Sequence, residues 1–357
     1  MSNINTQFTV ERSDCSNINE LIELSKTYYK DRDVGDFNYL EWQYLQNPAG
    51  KAYLFTARED FSGELAGQYI VIPITFNREG EKIAGSIALN LLTNPKYQRN
   101  GLFPRMVSAT HNECAEKNVL FTIGMPNHQS YPGLTNKLGF KHLGDIPLLI
   151  KPLSLTNIFS SFLKRKSKEK HGGIIKLLIP DIKNIKLLDF NNSEDVDKIN
   201  DFWQKAKKNY LISTNKEFSF FKWRYNDLPT REYHVLYYEK NNSISGIIVL
   251  KAEKIWGFNV GMIMDFMVLD NNFKVGRQLL RFVKNICKNE SLDFITILHT
   301  NNYEYRILKK NGYLKIPYKL LLQKTHFIVR MNKDFLGSDS IFSLNKWKLT
   351  FGDYDIF

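Results

Sequence analysis

Apolar positions recur along this chain with two periods, and the periods change in the same order twice. Residues 83–93, 119–124, 261–269 and 294–299 are near-continuous apolar runs, the pattern of strands covered by helices. Between the first two runs, Phe103, Met106, Val107, Thr110 and Cys114 form a stripe at helical spacing, which predicts a helix over 102–118. Between the second two, Val275, Leu279, Phe282, Val283 and Ile286 predict a helix over 273–288. Pro104 falls in the first turn, where a missing N–H is harmless. Shorter helices are expected over 132–138 and 303–311. A strand–helix–strand unit of this length joins parallel neighbours through a right-handed crossover.

The duplication extends upstream. Trp42-Gln43-Tyr44-Leu45-Gln46-Asn47-Pro48 and Trp223-Arg224-Tyr225-Asn226-Asp227-Leu228-Pro229 share W-x-Y-x-x-x-P at an offset of 181 residues, each before a strand-like run at 52–57 or 233–238. Lys137-Leu138-Gly139-Phe140 and Lys310-Asn311-Gly312-Tyr313 match at nearly the same offset. Ordered matches imply a tandem fold. The fold class is α/β: two tandem domains, each a mixed sheet flanked by helices. The expected partition is a first domain over 1–153, a linker over 154–180, a second domain over 181–331 and a docked tail over 332–357. Trp42, Tyr44, Trp223 and Tyr225 recur in both copies and read as core.

With 43% hydrophobic and 24% charged residues the chain is globular rather than disordered. No run is long and apolar enough to span a membrane, the start lacks a signal-peptide pattern, and Cys15, Cys114 and Cys287 form neither a zinc pattern nor a disulfide framework. A cytoplasmic protein without a metal is the expectation. The net charge is +12, and its densest cluster is Lys164, Arg165, Lys166, Lys168 and Lys170. That run reads as a solvated linker or as a dock for a membrane surface or an acidic carrier; no recognition helix points to DNA.

Chemistry first appears after the run at 83–93, in Asn94-Pro95-Lys96-Tyr97-Gln98-Arg99-Asn100-Gly101-Leu102-Phe103. A turn ending in Gly at a helix start aims backbone N–H groups at one point, which suits a pyrophosphate. This P-x-Y-Q-x-x-G-x-F resembles the Q/R-x-x-G-x-G/A motif of the GNAT superfamily of N-acetyltransferases, with Phe103 where a small residue is usual. Gly124-Met125-Pro126-Asn127-His128-Gln129-Ser130-Tyr131, ending in Leu138-Gly139-Phe140, resembles a second motif of that family. The tandem arrangement is similar to bacterial double-domain acyltransferases.

The resemblance implies that Gln98, Arg99, Asn100, Gly101, Leu102 and Phe103 hold the phosphates of acetyl-CoA. It also implies that the backbone of Leu91, Leu92 and Thr93 pairs with pantetheine, and that Asn127 lies at the cofactor. The second copy, Asp270-Asn271-Asn272-Phe273-Lys274-Val275-Gly276-Arg277, lacks the motif and is expected to carry no cofactor.

An amine attacking a thioester needs a base, donors to the carbonyl, alignment, and an acid for the thiolate. The family's usual acid is a Tyr at the place of Thr135. Tyr131, one helical turn earlier, is either its replacement or a packing aromatic. His128 is a candidate base or a solvated loop histidine. Asp265, in an apolar run, is a structural anchor or an acceptor-site group. The tail is aromatic and apolar and should dock between the domains, where Asp353, Asp355 or the carboxylate of Phe357 meets the acceptor or only patches the core. The resemblance implies an acetyl-CoA-dependent N-acetyltransferase acting on a small amine, such as a nucleotide-linked amino sugar for surface polysaccharide. The alternatives are an aminoacyl-tRNA-dependent transferase of the peptidoglycan-bridge type and a non-catalytic acyl-CoA-binding module.

Overall fold

A computed structural model describes residues 7–29, 33–154, 171–300, 303–321 and 323–354. The basic run 164–170, Asp355 and Phe357 lie outside the described residues.

The first half contributes strands β1 (Phe8–Ser13), β2 (Tyr53–Glu59), β3 (Leu65–Arg78), β4 (Glu81–Thr93), β5 (Phe121–Gly124), β6 (Lys141–Asp145) and β7 (Leu148–Pro152). The second contributes β8 (His171–Ile174), β9 (Ile185–Leu187), β10 (Ile212–Thr214), β11 (His234–Lys240), β12 (Ser243–Ile255), β13 (Phe258–Val268), β14 (Phe294–Leu298), β15 (Leu314–Lys315), β16 (His326–Met331) and β17 (Trp347–Lys348). They build two mixed sheets. One runs β1-β2-β3-β4-β5-β16-β6, with β10 and β17 attached beside β3; the other runs β15-β7-β14-β13-β12-β11-β9, with β8 against β12.

In each sheet one parallel pair carries the duplicated unit: β4 with β5 across the helix Leu102–Glu116, and β13 with β14 across the helix Phe273–Asn289. The stripe residues Met106, Val107, Thr110 and Cys114, and Val275, Leu279, Phe282, Val283 and Ile286, are all buried.

The expected partition at 153 and 331 does not describe the sheets, because the halves exchange strands. β7 leaves the first half and pairs with β14, from Phe294↔Pro152 to Leu298↔Leu148. β16 leaves the second half and lies between β5 and β6, pairing Ile328 with Gly124 and His326 with Asp145. Part of the expected linker also belongs to the second sheet, through β8 on β12. Each exchanged strand supplies an antiparallel cover to the outer edge of the other half's parallel strand, an edge that would otherwise stay unpaired.

The two W-x-Y-x-x-x-P motifs meet. Trp42 and Trp223 stack with centroids 4.7 Å apart and planes 15° apart. The Trp42 indole N–H donates to the Trp223 carbonyl at 2.7 Å, and the Trp223 indole donates to the Trp42 carbonyl at 3.2 Å. Such reciprocity is what a local two-fold relation between the halves produces. Both rings are buried, and the tail docks beside them with Trp347, Leu349, Phe351 and Tyr354 buried as well. The three cysteines are buried and unpaired. Among the described residues, no helix is long and apolar enough to cross a membrane.

Candidate active site

The site grows from a fork. β4 pairs with β5 at Gly85↔Phe121, Ser86↔Thr122 and Ile87↔Ile123, and there the ladder stops although β4 continues to Thr93. A bulge follows, with Asn90 in the left-handed region at φ 44°. The Asn90 amide is pinned by donating to the Tyr44 hydroxyl at 2.6 Å. Among the described residues nothing is paired to positions 88–93 on the β5 side, so this stretch of β4 offers a free edge to an extended ligand. Leu91 and Thr93 are half-buried there and Leu92 is buried. The Thr93 carbonyl, however, accepts from the Tyr28 hydroxyl, and Tyr28 in turn accepts from the Gln98 amide at 2.9 Å. Tyr28, unremarked in the sequence, therefore closes the outer end of the fork.

Beyond Thr93 the loop is anchored from below. Asn94 caps the turn Pro95–Tyr97 through the Lys96 N–H at 3.0 Å. Tyr97 is buried edge-on against Phe8, and its hydroxyl donates to Glu64, which also pairs with Lys96 at 2.7 Å. Gln98, Arg99 and Asn100 stand exposed above this anchor. Arg99 and Gly101 both take left-handed backbone, φ 69° and 71°.

Gly101 is the N-cap of Leu102–Glu116 and brings no side chain to cap it, so among the described residues the first-turn N–H groups have no capping side chain. A Cβ at Gly101 would meet nothing within 4 Å, which leaves the approach clear. The helix dipole adds partial positive charge at this point. Phe103 does not obstruct it: its ring lies against Gly133, 3.0 Å from where a Cβ would stand.

The matching fork in the second half is filled. β13 pairs with β14 from Val260↔Phe294 to Met262↔Thr296 and then runs free to Val268. The tail enters this gap. Thr350 bridges His299, Thr300 N–H donates to the Leu349 carbonyl at 3.3 Å, and Lys348 donates to the Phe266 carbonyl at 3.0 Å.

At the centre lies Asp265, wholly buried. It accepts from Lys216 at 2.6 and 2.7 Å, from the Thr350 hydroxyl at 2.8 Å, and from the Tyr225 hydroxyl. Lys216 also pairs with Asp353 at 2.8 Å. Burial alone would raise the Asp353 carboxyl, yet Lys216, with Lys348 and the Thr214 hydroxyl, holds it below the usual carboxylate range. Burial likewise opposes the Lys216 charge, but Asp265 and Asp353 outweigh it and raise its pKa. Asp265 and Asp353 are thus locked counter-ions of a buried lysine. Gly352 is required here, since a Cβ would fall 2.0 Å from the Tyr225 hydroxyl and 2.5 Å from Asp265.

The helix after this fork also differs. Its N-cap is Asn272, whose side chain accepts from Val275 N–H at 3.1 Å. Gly276 is no counterpart of Gly101: it lies inside the helix, where a Cβ would stand 2.9 Å from Ile307.

The remaining candidates cluster after β5. Asn127 and His128 are exposed. The Asn127 carboxamide oxygen is used by the turn, accepting from Gln129 and Ser130 N–H at 2.9 and 3.0 Å. Tyr131 begins the helix Tyr131–Lys137, half-buried, with its ring 4.4 Å from that of His326. The Thr135 hydroxyl donates to the Tyr131 carbonyl at 2.9 Å, which ties it to its own helix.

Between the two forks lies a cavity of about 30 Å³, lined among others by Trp42, Trp223, Ile87, Leu89, Arg224 and Tyr354. Tyr354 extends the tail to the open fork by donating to the Met125 carbonyl at 2.8 Å.

Residues 9–143 match the family model described as the acetyltransferase (GNAT) domain. No curated protein matches the chain. Among solved structures, a GCN5-related N-acetyltransferase from Anabaena variabilis aligns with a TM-score of 0.61 at 14% identity, covering 92% of this chain and 73% of that one. A probable N-acyltransferase from Enterococcus faecalis aligns at 0.65 and 12% identity, over 92% and 73%. N-myristoyltransferase from Saccharomyces cerevisiae, solved with bound myristoyl-CoA, aligns at 0.60 and 12% identity, over 93% and 84%. At these identities the likeness is one of fold, and it extends over both halves.

Proposed function

We propose that this chain, whose residues 9–143 match the GNAT acetyltransferase domain and whose second half repeats the fold, moves an acetyl group from acetyl-CoA to the amine of a small acceptor. The observation that carries the reading is the contrast between the forks: one has a free strand edge and an uncapped helix, the other is plugged by the tail. All CoA contacts then fall to the first half. The phosphates sit at the amides of Gly101, Leu102 and Phe103, flanked by Gln98, Arg99 and Asn100, and pantetheine lies along Leu91 and Leu92. Thr93 joins them if Tyr28 releases its carbonyl.

Tyr131 is the acid for the departing thiolate, since Thr135 is tied to its own helix. His128, on the exposed loop, is the base that takes the ammonium proton. Asp265 and Asp353 keep the tail in place as counter-ions of Lys216. The match of residues 9–143 to an acetyltransferase domain favours acetyl as the group transferred. A net charge of +12 favours an anionic acceptor, and a nucleotide-linked amino sugar is our choice.

The test is thiol release from acetyl-CoA with a panel of amines, beside the same assay with hexanoyl- and myristoyl-CoA. Release with nucleotide-linked amino sugars, fastest for the acetyl donor, is expected. Binding of acyl-CoA without release for any amine would make the chain a binding module. Salt-dependent tRNA binding would instead favour an aminoacyl-tRNA-dependent transferase.

A further inference from the structure

The strand exchange has a chemical consequence at the β6–β16 edge, on the other side of β5 from the fork. β16 pairs His326 with Asp145 and Ile328 with His142, and the register slips between Phe327 and Ile328. Residues three apart on a regular strand face opposite sides. The bulge, with Gly144 at φ 138°, corrects this and turns His142 and Asp145 to one side, toward His326.

His326 Nδ1 lies 2.7 Å from Asp145 Oδ1, His142 Nε2 lies 3.7 Å from the same oxygen, and all three atoms fall within 4.8 Å of one another. Donor atoms on a tetrahedron with bonds of ~2.0–2.1 Å stand ~3.4 Å apart, between the two measured separations. Asp145 Oδ1 and His326 Nδ1 are both shielded from solvent, yet neither makes a hydrogen bond of acceptable angle. With no hydrogen bond to occupy them, both atoms are left for a third partner. Both imidazoles are braced by Tyr131, 4.4 Å from the His326 ring and 5.4 Å, edge-on, from the His142 ring.

We infer that His142, Asp145 and His326 form a binding site for a divalent first-row metal ion, zinc in preference. Two imidazole nitrogens and one carboxylate oxygen suit such ions, and the fourth position is left to water. The ion clasps β16, from the second half, to β6, from the first. It thereby fixes the exchanged strand and the face of Tyr131. Cysteine spacing gave no sign of it, because two ligands lie in one half and the third in the other.

Chelator-treated full-length protein, titrated with Zn²⁺ by calorimetry and with Co²⁺ by visible absorption, tests the site. One ion per chain is expected, with the absorption of a low-symmetry tetrahedral Co²⁺ centre and a melting temperature raised by about 2–5 °C at ~100-fold excess over Kd. His142→Ala, at an exposed position, and Asp145→Asn should each weaken Zn²⁺ binding at least tenfold while the metal-free proteins melt close to wild type. These two positions are chosen because His326 sits in a central strand, where a substitution would mix loss of the metal with loss of packing. Absence of saturable 1:1 binding, or unchanged affinity in both variants, overturns the site and leaves a plain His326–Asp145 contact.

Discussion

β4 and β13 occupy equivalent places, part from their parallel neighbours after three paired residues, and carry a bulge just beyond the parting. A repeated tyrosine reaches each bulge: Tyr44 accepts from Asn90, and Tyr225 donates to Asp265. The open fork holds a neutral amide at this place and the filled fork a carboxylate. Asn90 needs no counter-charge, and its fork is free. A carboxylate at Asp265 is costly to bury alone, and it is accompanied by Lys216, which brings in Asp353 and with it the tail. The helix starts diverge in the same sense, with glycine and no cap at 101 but a self-capping Asn272 in the second half. On the function proposed above, one copy of the duplicated fold keeps its socket and the other has become a structural joint.

The largest effect should come from the joint. Lys216→Met leaves Asp265 and Asp353 buried without their cation and should cost about 3–5 kcal/mol in denaturant unfolding. A loss under about 1 kcal/mol would mean that the ion cluster does not hold the plug. Next is the socket. Gly101→Glu places negative charge at the helix start and a side chain at φ 71°, and should lower CoA affinity by ~100-fold or more. The left-handed backbone strains any side chain there by about 1–2 kcal/mol, but the added Cβ meets nothing within 4 Å, so the variant should still fold. Equal CoA affinity in wild type and variant by calorimetry would remove the phosphates from this loop.

Acid should strain both halves through two buried histidines. Burial, aided by Arg330, pulls His111 down to about 3, and burial, aided by Lys348, does the same to His299. Their folded pKa lies below the ordinary ~6.5, so stability is full above that value and falls as pH drops toward 3. The slope is at most about 1.4 kcal/mol per pH unit for each histidine. His299→Gln, in the filled fork, should flatten the curve by one proton while the His111 share remains; an unchanged slope would contradict the buried neutral state. The smallest effect belongs to the second helix start. Asn272→Ala should cost about 1 kcal/mol of stability and leave CoA affinity as it was.

Much of the architecture was legible along the chain because its signals are local. Strand runs, helical stripes and the W-x-Y-x-x-x-P repeat fixed where the elements lie, and the aromatic tail docked as its composition suggested. Pairing partners are not local. β7 and β16 have the patterning of ordinary terminal strands, and nothing within five or six residues tells which sheet will accept them. Gly276 is ambiguous for a related reason, since a glycine near a helix start reads alike whether it faces a ligand or Ile307. Asp265 could be recognised as a carboxylate in an apolar run, but its partners Lys216 and Asp353 lie far from it in sequence. Tyr28 gave no signal at all, being one of two adjacent tyrosines after a short helix.

The most direct measurement is the number of CoA molecules bound per chain, counted by native mass spectrometry across a titration with acetyl-CoA. One bound molecule, abolished by Gly101→Glu and retained in Asn272→Ala, is expected if the first fork is the socket and the second a joint. Two bound molecules per chain, or one that survives Gly101→Glu, would contradict it.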